Sequence, residues 1–307
     1  MLKKKLTVTA VVIATWCAAA TAADQTSLLG QTPPGIEAVK FAPEILTVEK
    51  HPHGQLAFSP DGKSIYWSAM LADGPEQTIF FSTFDGKIIS RPTVAPFAAD
   101  SGNGGATFSP DGKRLFFSAE WPSGDSSAAK TGICFVEKTD NGWSKPVAIE
   151  STVDTLMTKG QVTVARNGNI YFSGRVLTGR SPKIYLCEFA DGKYQAPKAL
   201  AGPISSLPLC VDPWVDPNEK FLLVSFPPPT GSPMLTDIGI SFRQPDGTWS
   251  LPVSVGSAVN TAEAFERFAA ITPDGKYLFF IRSLSRGFVG DQAHFYWVDA
   301  KILDGLK

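Results

Sequence analysis

Apolar positions along this chain come in short runs of about five to eight residues, each closed by a polar turn. SIYWSA (Ser64–Ala69), RLFFSA (Arg114–Ala119), GICFVE (Gly132–Glu137) and FLLVSF (Phe221–Phe226) are rich in aromatic and β-branched residues. Runs of this length and composition predict strands, not helices. Between them stand Asp61-Gly62, Asp85-Gly86, Asp111-Gly112, Asn141-Gly142, Asp191-Gly192 and Asp246-Gly247. Such pairs supply the positive φ of tight hairpin turns. The pattern therefore predicts an all-β chain of short antiparallel strands.

The strands also repeat. FSPDGKSIYWSA starts at Phe58, FSPDGKRLFFSA at Phe108 and ITPDGKYLFFIRS at Ile271, with weaker copies from Val164 (VARNGNIYFSG) and Val215 (VDPNEKFLLVSF). The five starts lie 50, 56, 51 and 56 residues apart. A second motif follows each of the first four copies and ends at Pro92, Pro146, Pro197 and Pro252. Each unit of about fifty residues then holds four strands, which is one blade of a β-propeller. Proline near the fourth strand fits an outer edge that needs no ladder donor on one side. After the fifth copy the chain has only HFYWVDAKIL, from His294, so that unit lacks its last strand. KFAPEILTV near the N-terminus is the candidate replacement, with Phe41–Thr47 beside Phe295–Val298. The expectation is a five-bladed β-propeller of four-stranded antiparallel blades, closed by an N-terminal strand. Six blades, with one degenerate unit, is the alternative.

The SPDGK-hydrophobic-aromatic signature at Phe58–Lys63, Phe108–Lys113 and Ile271–Lys276 resembles the TolB-type, WD-like propeller repeat of bacterial envelope proteins. Val164–Asn169 and Val215–Lys220 match it in outline. Segments 30–43 and 256–301 are similar to secreted proteins with this repeat, so the resemblance covers nearly all of the chain after its first residues. It implies the propeller fold and an envelope setting. It does not imply one activity, because propellers carry many.

The N-terminus reads as an address. Lys3, Lys4 and Lys5 precede an apolar run over residues 6–20, and Ala20-Thr21-Ala22 fits a signal-peptidase site. Residues 1–22 are the expected signal peptide, 23–38 an N-terminal extension, and 39–307 a single propeller domain. The expected location is periplasmic or secreted, with no integral membrane segment after cleavage. Three Lys leave with the signal, taking the formal charge from -1 to -4. That balance gives no basic surface for nucleic acid. Cys134, Cys187 and Cys210 remain and are read as buried structural thiols, with a disulfide the lesser alternative. Gly and Pro number 27 and 24, which the turns and edge strands absorb.

The chain contains no G-x-S-x-G elbow, P-loop, dinucleotide fingerprint, H-E-x-x-H or CxxC. By strand alternation the SPDG turns share one face of the ring, and the inter-blade links share the other. That second face also carries the longer loops, from Met70–Gln77 to Leu284–Ala293, and binding usually lives on such loops. The links would bring Glu49, His51 and His53, then Asp100 and Asn103, then Lys159, then Asp212 and Trp214, and finally Glu266 and Arg267 to one mouth. His51 and His53 share a strand face, so with Glu49 they are weak candidates for a divalent metal or acid–base cluster. Two ordinary polar residues at a strand entrance are the favoured reading of them. Glu266 and Asp212 are candidates for a glycosidase carboxylate couple, or for inter-blade ion pairs. Arg267 can clamp an anion. Trp121, Trp214 and Phe288 offer flat faces for sugar rings or for packing, whereas Trp143 and Trp249 occupy matching repeat positions and read as packing.

The resulting expectation is an exported propeller that binds an envelope protein or glycan ligand on its long-loop face without catalysis and with no cofactor. A glycan hydrolase or lyase using carboxylates at the ring mouth is the alternative.

Overall fold

A computed structural model describes residues 28–46, 51–70, 77–98, 102–121, 130–153, 160–176, 181–228, 235–284 and 293–306. Each repeat folds as one antiparallel sheet, and five sheets form a ring. Blade one pairs His51–Pro52 and Ala57–Phe58 with Ser64–Met70, then Gln77–Thr83, then Thr93–Val94. Blade two runs Gly102–Phe108, Arg114–Trp121, Lys130–Thr139, Val147–Ala148. Blade three runs Val162–Val164, Ile170–Gly174, Lys183–Cys187, Lys198–Ala199. Blade four runs Val211–Val215, Phe221–Phe226, Asp237–Phe242, Val253–Ser254. Blade five runs Phe265–Ile271, Tyr277–Ser283, Ala293–Asp299 and takes Val39–Lys40 as its outer strand. Pro92, Pro146, Pro197 and Pro252 stand one residue before the outer strands, where the missing N–H costs no ladder bond.

The closing strand comes slightly earlier than its motif suggested. Val39 pairs with Trp297 and Lys40 with Tyr296, and the Phe41 N–H donates to the Phe295 carbonyl at 2.9 Å. Ala42 then takes a positive φ of 40°, and Pro43–Leu46 forms one helical turn. Pro43 suits the start of a helix and has no N–H for a ladder, so the strand cannot run on through it. Phe41 is buried edge-on against Phe279 and Trp297, at centroid distances of 4.9 and 5.1 Å.

The core is divided among the seams between blades. One buried cluster joins Phe41, Trp67, Phe279 and Trp297 across blades five and one. Others join blades one and two through Tyr66 and Phe117, two and three through Phe116 and Phe172, three and four through Tyr171 and Val224, and four and five through Leu223 and Phe280. Neither face of a blade is polar along its centre, because each face meets a neighbour; this is why the second strands read as continuous apolar runs. Trp143 packs on Tyr66 and Phe108, and Trp249 lies against Tyr171, as their repeat positions suggested.

The seams are stitched by a serine at one register of the second strand. The N–H of Gly105 donates to Ser68 Oγ at 2.8 Å, and the N–H of Asp212 to Ser173 Oγ at 2.8 Å. Ser118 Oγ donates to the Gly160 carbonyl at 3.2 Å. Each bond runs from one blade to the inner strand of the next. Ser225, the counterpart in blade four, has no partner for its Oγ among the described residues, and Ile281 stands at that register in blade five. The described residues include no helix long and apolar enough to cross a membrane.

Candidate functional site

Inner strands turn one edge toward the central channel, so some carbonyls there have no ladder partner and need another donor. Two glutamines at the same repeat position supply it. Gln55 Nε2 donates to the carbonyls of Ala106 (3.0 Å) and Val162 (2.8 Å), on blades two and three. Gln161 Nε2 donates to the carbonyls of Pro213 (3.1 Å) and Ala269 (3.0 Å), on blades four and five. Both are buried, and together they brace the inner strands of all five blades and plug the waist of the channel. The other three blades carry Gly105, Asp212 and Phe268 at this position, with φ of 63°, 54° and 59° beside breaks in strand register. A Cβ on Gly105 would lie 2.1 Å from the Gly160 carbonyl oxygen, so blades two and three can approach this closely only around glycine.

On the long-loop side of the plug the polar residues pair across strands. Arg267 of blade five clamps Asp212 of blade four, with Nε to Oδ2 at 2.7 Å and Nη2 to Oδ1 at 2.9 Å. The Asp212 side chain is 2% exposed and that of Arg267 24%. Glu266 lies opposite Arg282 on the adjacent strand and accepts its Nε at 2.9 Å and the Thr261 hydroxyl at 2.8 Å. Burial lifts the Glu266 carboxyl to about 7 against those two donors. His53 stacks edge-on to Phe268 at 5.0 Å. Burial, helped by the Arg267 charge, pulls its pKa from 6.5 to about 4, so the ring is neutral at pH 7. Adjacent Glu266 and Arg267 point to different partners, as strand alternation requires. Asp212 is committed through both oxygens to Arg267, so it is not free to form a carboxylate couple, whereas Glu266 accepts from Arg282 and Thr261 through Oε1 alone.

On the SPDG-turn side lies a cavity of about 560 Å³ with walls from all five blades. Gln55 is at its floor, and no residue from beyond the plug lines it. One layer up, the five blades contribute Ala57, Thr107, Thr163, Trp214 and Ala270. Trp214 therefore opens onto this face, away from His53 and Arg267. It is partly exposed and leans on Phe221 at a centroid distance of 6.0 Å. The rim is Pro60, Pro110, Arg166, Pro217 and Pro273. Three of the turns organise their own carboxylate: Ser59 donates to Asp61, Ser109 to Asp111 and Thr272 to Asp274 at 2.6, 2.6 and 2.7 Å. The Ser59 and Ser109 hydroxyls lead in holding Asp61 and Asp111 below the ordinary carboxylate value.

The two degenerate repeats prove complementary. Glu219, in the place other blades give to glycine, accepts from Tyr171 Oη (2.6 Å), Arg243 Nη1 (2.8 Å), Asn169 Nδ2 (2.9 Å) and Asn167 Nδ2 (3.0 Å). Arg166 Nη1 donates to Asn218 at 3.0 Å. So the residues that depart from SPDGK in blades three and four bond to one another across the seam.

The placement of the remaining candidates follows. Asn103 is buried and donates to the Ala98 carbonyl at 3.2 Å. His51 pairs with Met70 at the entrance of blade one. Glu49, Asp100, Lys159 and Phe288 lie outside the described residues, and Trp121 ends the strand Arg114–Trp121. Among the described residues no group of three or more His, Cys, Asp or Glu could hold a metal ion. Cys134, Cys187 and Cys210 are buried free thiols, and burial raises all three, Cys134 and Cys210 to about 12. The functional reading of the sequence overlooked Gln55 and Gln161. Their signal was present as the shared Gly-Gln step, Gly54-Gln55 and Gly160-Gln161, with each glutamine six residues before the turn residue Asp61 or Asn167.

Fold and cavity together define a five-bladed propeller with a plugged channel and one blind funnel on its turn face. No protein-family model matches the chain, and no curated protein matches it. Solved structures with a similar fold include TolB from Acinetobacter baumannii, 15% identical over 79% of this chain and 53% of that one, at a TM-score of 0.46. A putative TolB from Agrobacterium tumefaciens is 14% identical over 75% of this chain and 69% of its own, at 0.47. An arabinanase from Bacillus subtilis is 11% identical over 81% and 94%, at 0.47. The chain thus spans about half the length of the Acinetobacter protein. Likeness at these identities bears on fold alone.

Proposed function

We propose that this chain is an exported, non-catalytic propeller of the bacterial envelope that binds a protein or glycan ligand. The observation that carries the reading is the blind cavity of about 560 Å³ built from all five blades, which lies on the turn face and not on the long-loop face where the sequence led us to expect binding. Its size suits a ligand site, and its mixed apolar and polar lining suits recognition. On the opposite side, Arg267 holds both oxygens of the buried Asp212, which favours a structural role for that carboxylate over acid–base chemistry. The N-terminal Lys3–Lys5 and Ala20-Thr21-Ala22 support export, with the mature chain beginning at Ala23.

Purified mature protein tests this against polysaccharides and envelope lipoprotein fractions, with binding and product release measured separately. Retention on one of them without product release is expected. Product release by the wild type that disappears in Glu266→Gln or Asp212→Asn would instead establish the hydrolase or lyase reading. N-terminal sequencing of the exported protein checks the cleavage position.

A further inference from the structure

We propose that the turn-face funnel is a saccharide pocket that receives the neutral end of a glycan, stacked on Trp214. The proposal rests on the binding reading above and names its ligand class and face.

The funnel is asymmetric in a way that its repeat does not require. At one register of the inner strands, blades one, two, three and five place Ala57, Thr107, Thr163 and Ala270, and blade four places Trp214. Four small residues open the space, and one supplies a flat aromatic wall. Trp67, Trp249 and Trp297 are 1–3% exposed and spent on seams, while Trp214 stays partly exposed at the cavity. An indole face of this kind takes the C–H face of a pyranose or another ring by apolar contact.

The polar groups narrow the ligand further. The floor and the Trp214 layer carry no charged side chain. A chain terminus bearing an ammonium or carboxylate would lose its hydration there without a partner, which is costly. The end of a neutral glycan carries only hydroxyls and ring oxygens, and the uncharged Thr107 and Thr163 line the same layer. At the rim, Asp216, Asp274 and Asp304 outnumber Arg166, so the entrance is rich in acceptors for hydroxyl donors. The Asp216 and Asp274 carboxylates are held in place by the Lys220 N–H (3.1 Å) and the Lys276 N–H (3.2 Å), which fixes their positions before any ligand arrives. Because Gln55 and Gln161 plug the waist, the ligand enters and leaves by one mouth, and an end is recognised, not the middle of a chain.

The test is calorimetric titration of the mature protein with chito-, cello-, malto- and xylo-oligosaccharides of two to four units, and with oligogalacturonates as charged controls. Saturable binding of at least one neutral series is expected, nearly independent of salt. Trp214→Ala should weaken it about tenfold or more, and Trp214→Phe should restore most of the affinity, since the aromatic face carries the contact. Melting curves of both variants should overlay the wild type closely enough to show that the ring is intact. Unchanged affinity in folded Trp214→Ala removes Trp214 and overturns the proposal. Failure of every neutral saccharide at millimolar concentration also overturns it. If a protein partner then binds in a Trp214-dependent way, the broader binding reading stands while the saccharide assignment falls.

Discussion

Glu219 offers the sharpest test of how the two weak repeats hold the ring together. Its φ is +56°, where Gly62, Gly112, Gly168 and Gly275 serve the other four blades. A left-handed non-glycine residue costs about 1–2 kcal/mol. Against that cost stand four hydrogen bonds, from Tyr171, Arg243, Asn169 and Asn167, at 2.6 to 3.0 Å. The Glu219 side chain is 10% exposed, while Arg243 is 38% exposed, so the ion pair itself is partly screened. Hydrogen bonds to a charged group contribute about 1.5–3 kcal/mol each and do not add fully, so losing the carboxylate should cost about 3–5 kcal/mol. Glu219→Ala keeps the strain and loses the bonds, and should cost that full amount. Glu219→Gly relieves the strain, and should cost about 1–2 kcal/mol less. Urea unfolding followed by tryptophan fluorescence, with Tyr171→Phe in both backgrounds, measures the difference. The Tyr171→Phe penalty should shrink once Glu219 is absent. Burial works against the Glu219 charge, but Tyr171, Asn169 and Arg243 outweigh it and hold the carboxyl below its ordinary value. Its contribution is therefore present above the unfolded carboxyl value and lost as pH falls through the folded one. A Glu219→Gly protein more stable than the wild type would refute the reasoning, because strain would then outweigh the bonds.

Four further outcomes follow from the same geometry. Gly105→Ala should abolish soluble folded protein, since its Cβ would meet the Gly160 carbonyl oxygen at 2.1 Å and its φ is +63°; expression and circular dichroism check this. Gln161→Ala should lower stability by about 2–4 kcal/mol in urea, because it orphans the carbonyls of Pro213 and Ala269. His53 and Glu266 should oppose each other in a pH–stability profile. His53, lowered from 6.5 to about 4, makes stability fall as pH drops through that window, whereas Glu266, raised from 4.5 to about 7, makes it fall as pH rises through its own. Glu266→Gln should remove only the second slope, and His53→Gln only the first. Finally, Cys134, Cys187 and Cys210 should stay unreactive to a thiol reagent until the ring unfolds, as burial raises each thiol.

The parts of the fold that were legible in the sequence are the parts with local causes. Asp61-Gly62 and Asp111-Gly112 specify turns from their own backbone preferences, and the runs beside them specify strands by composition. Repetition of those local signals every fifty or so residues counts the blades, and the unpaired last unit calls for a strand from the other end of the chain. Even so, the exact place of that strand escaped the motif. Val39–Lys40 pairs and Pro43 does not, because the ladder needs an N–H that proline lacks.

The candidate site divides in the same way. The sequence alone determined which residues were available: Asp212, Glu266, Arg267, His53 and Trp214 were all visible as polar or aromatic departures near the inner strands. It also placed Glu266 and Arg267 on opposite sides of their strand. Only the tertiary structure decided what each one meets. Asp212 and Arg267 are 55 residues apart and become partners because blades four and five pack side by side. Trp214 and Asp212 are two residues apart, yet with the register break between Val211 and Trp214 only Trp214 lines the turn-face cavity, while Asp212 turns to Arg267. Ring closure sets those distances, and ring closure is a sum over all the seams, which no short stretch of sequence encodes.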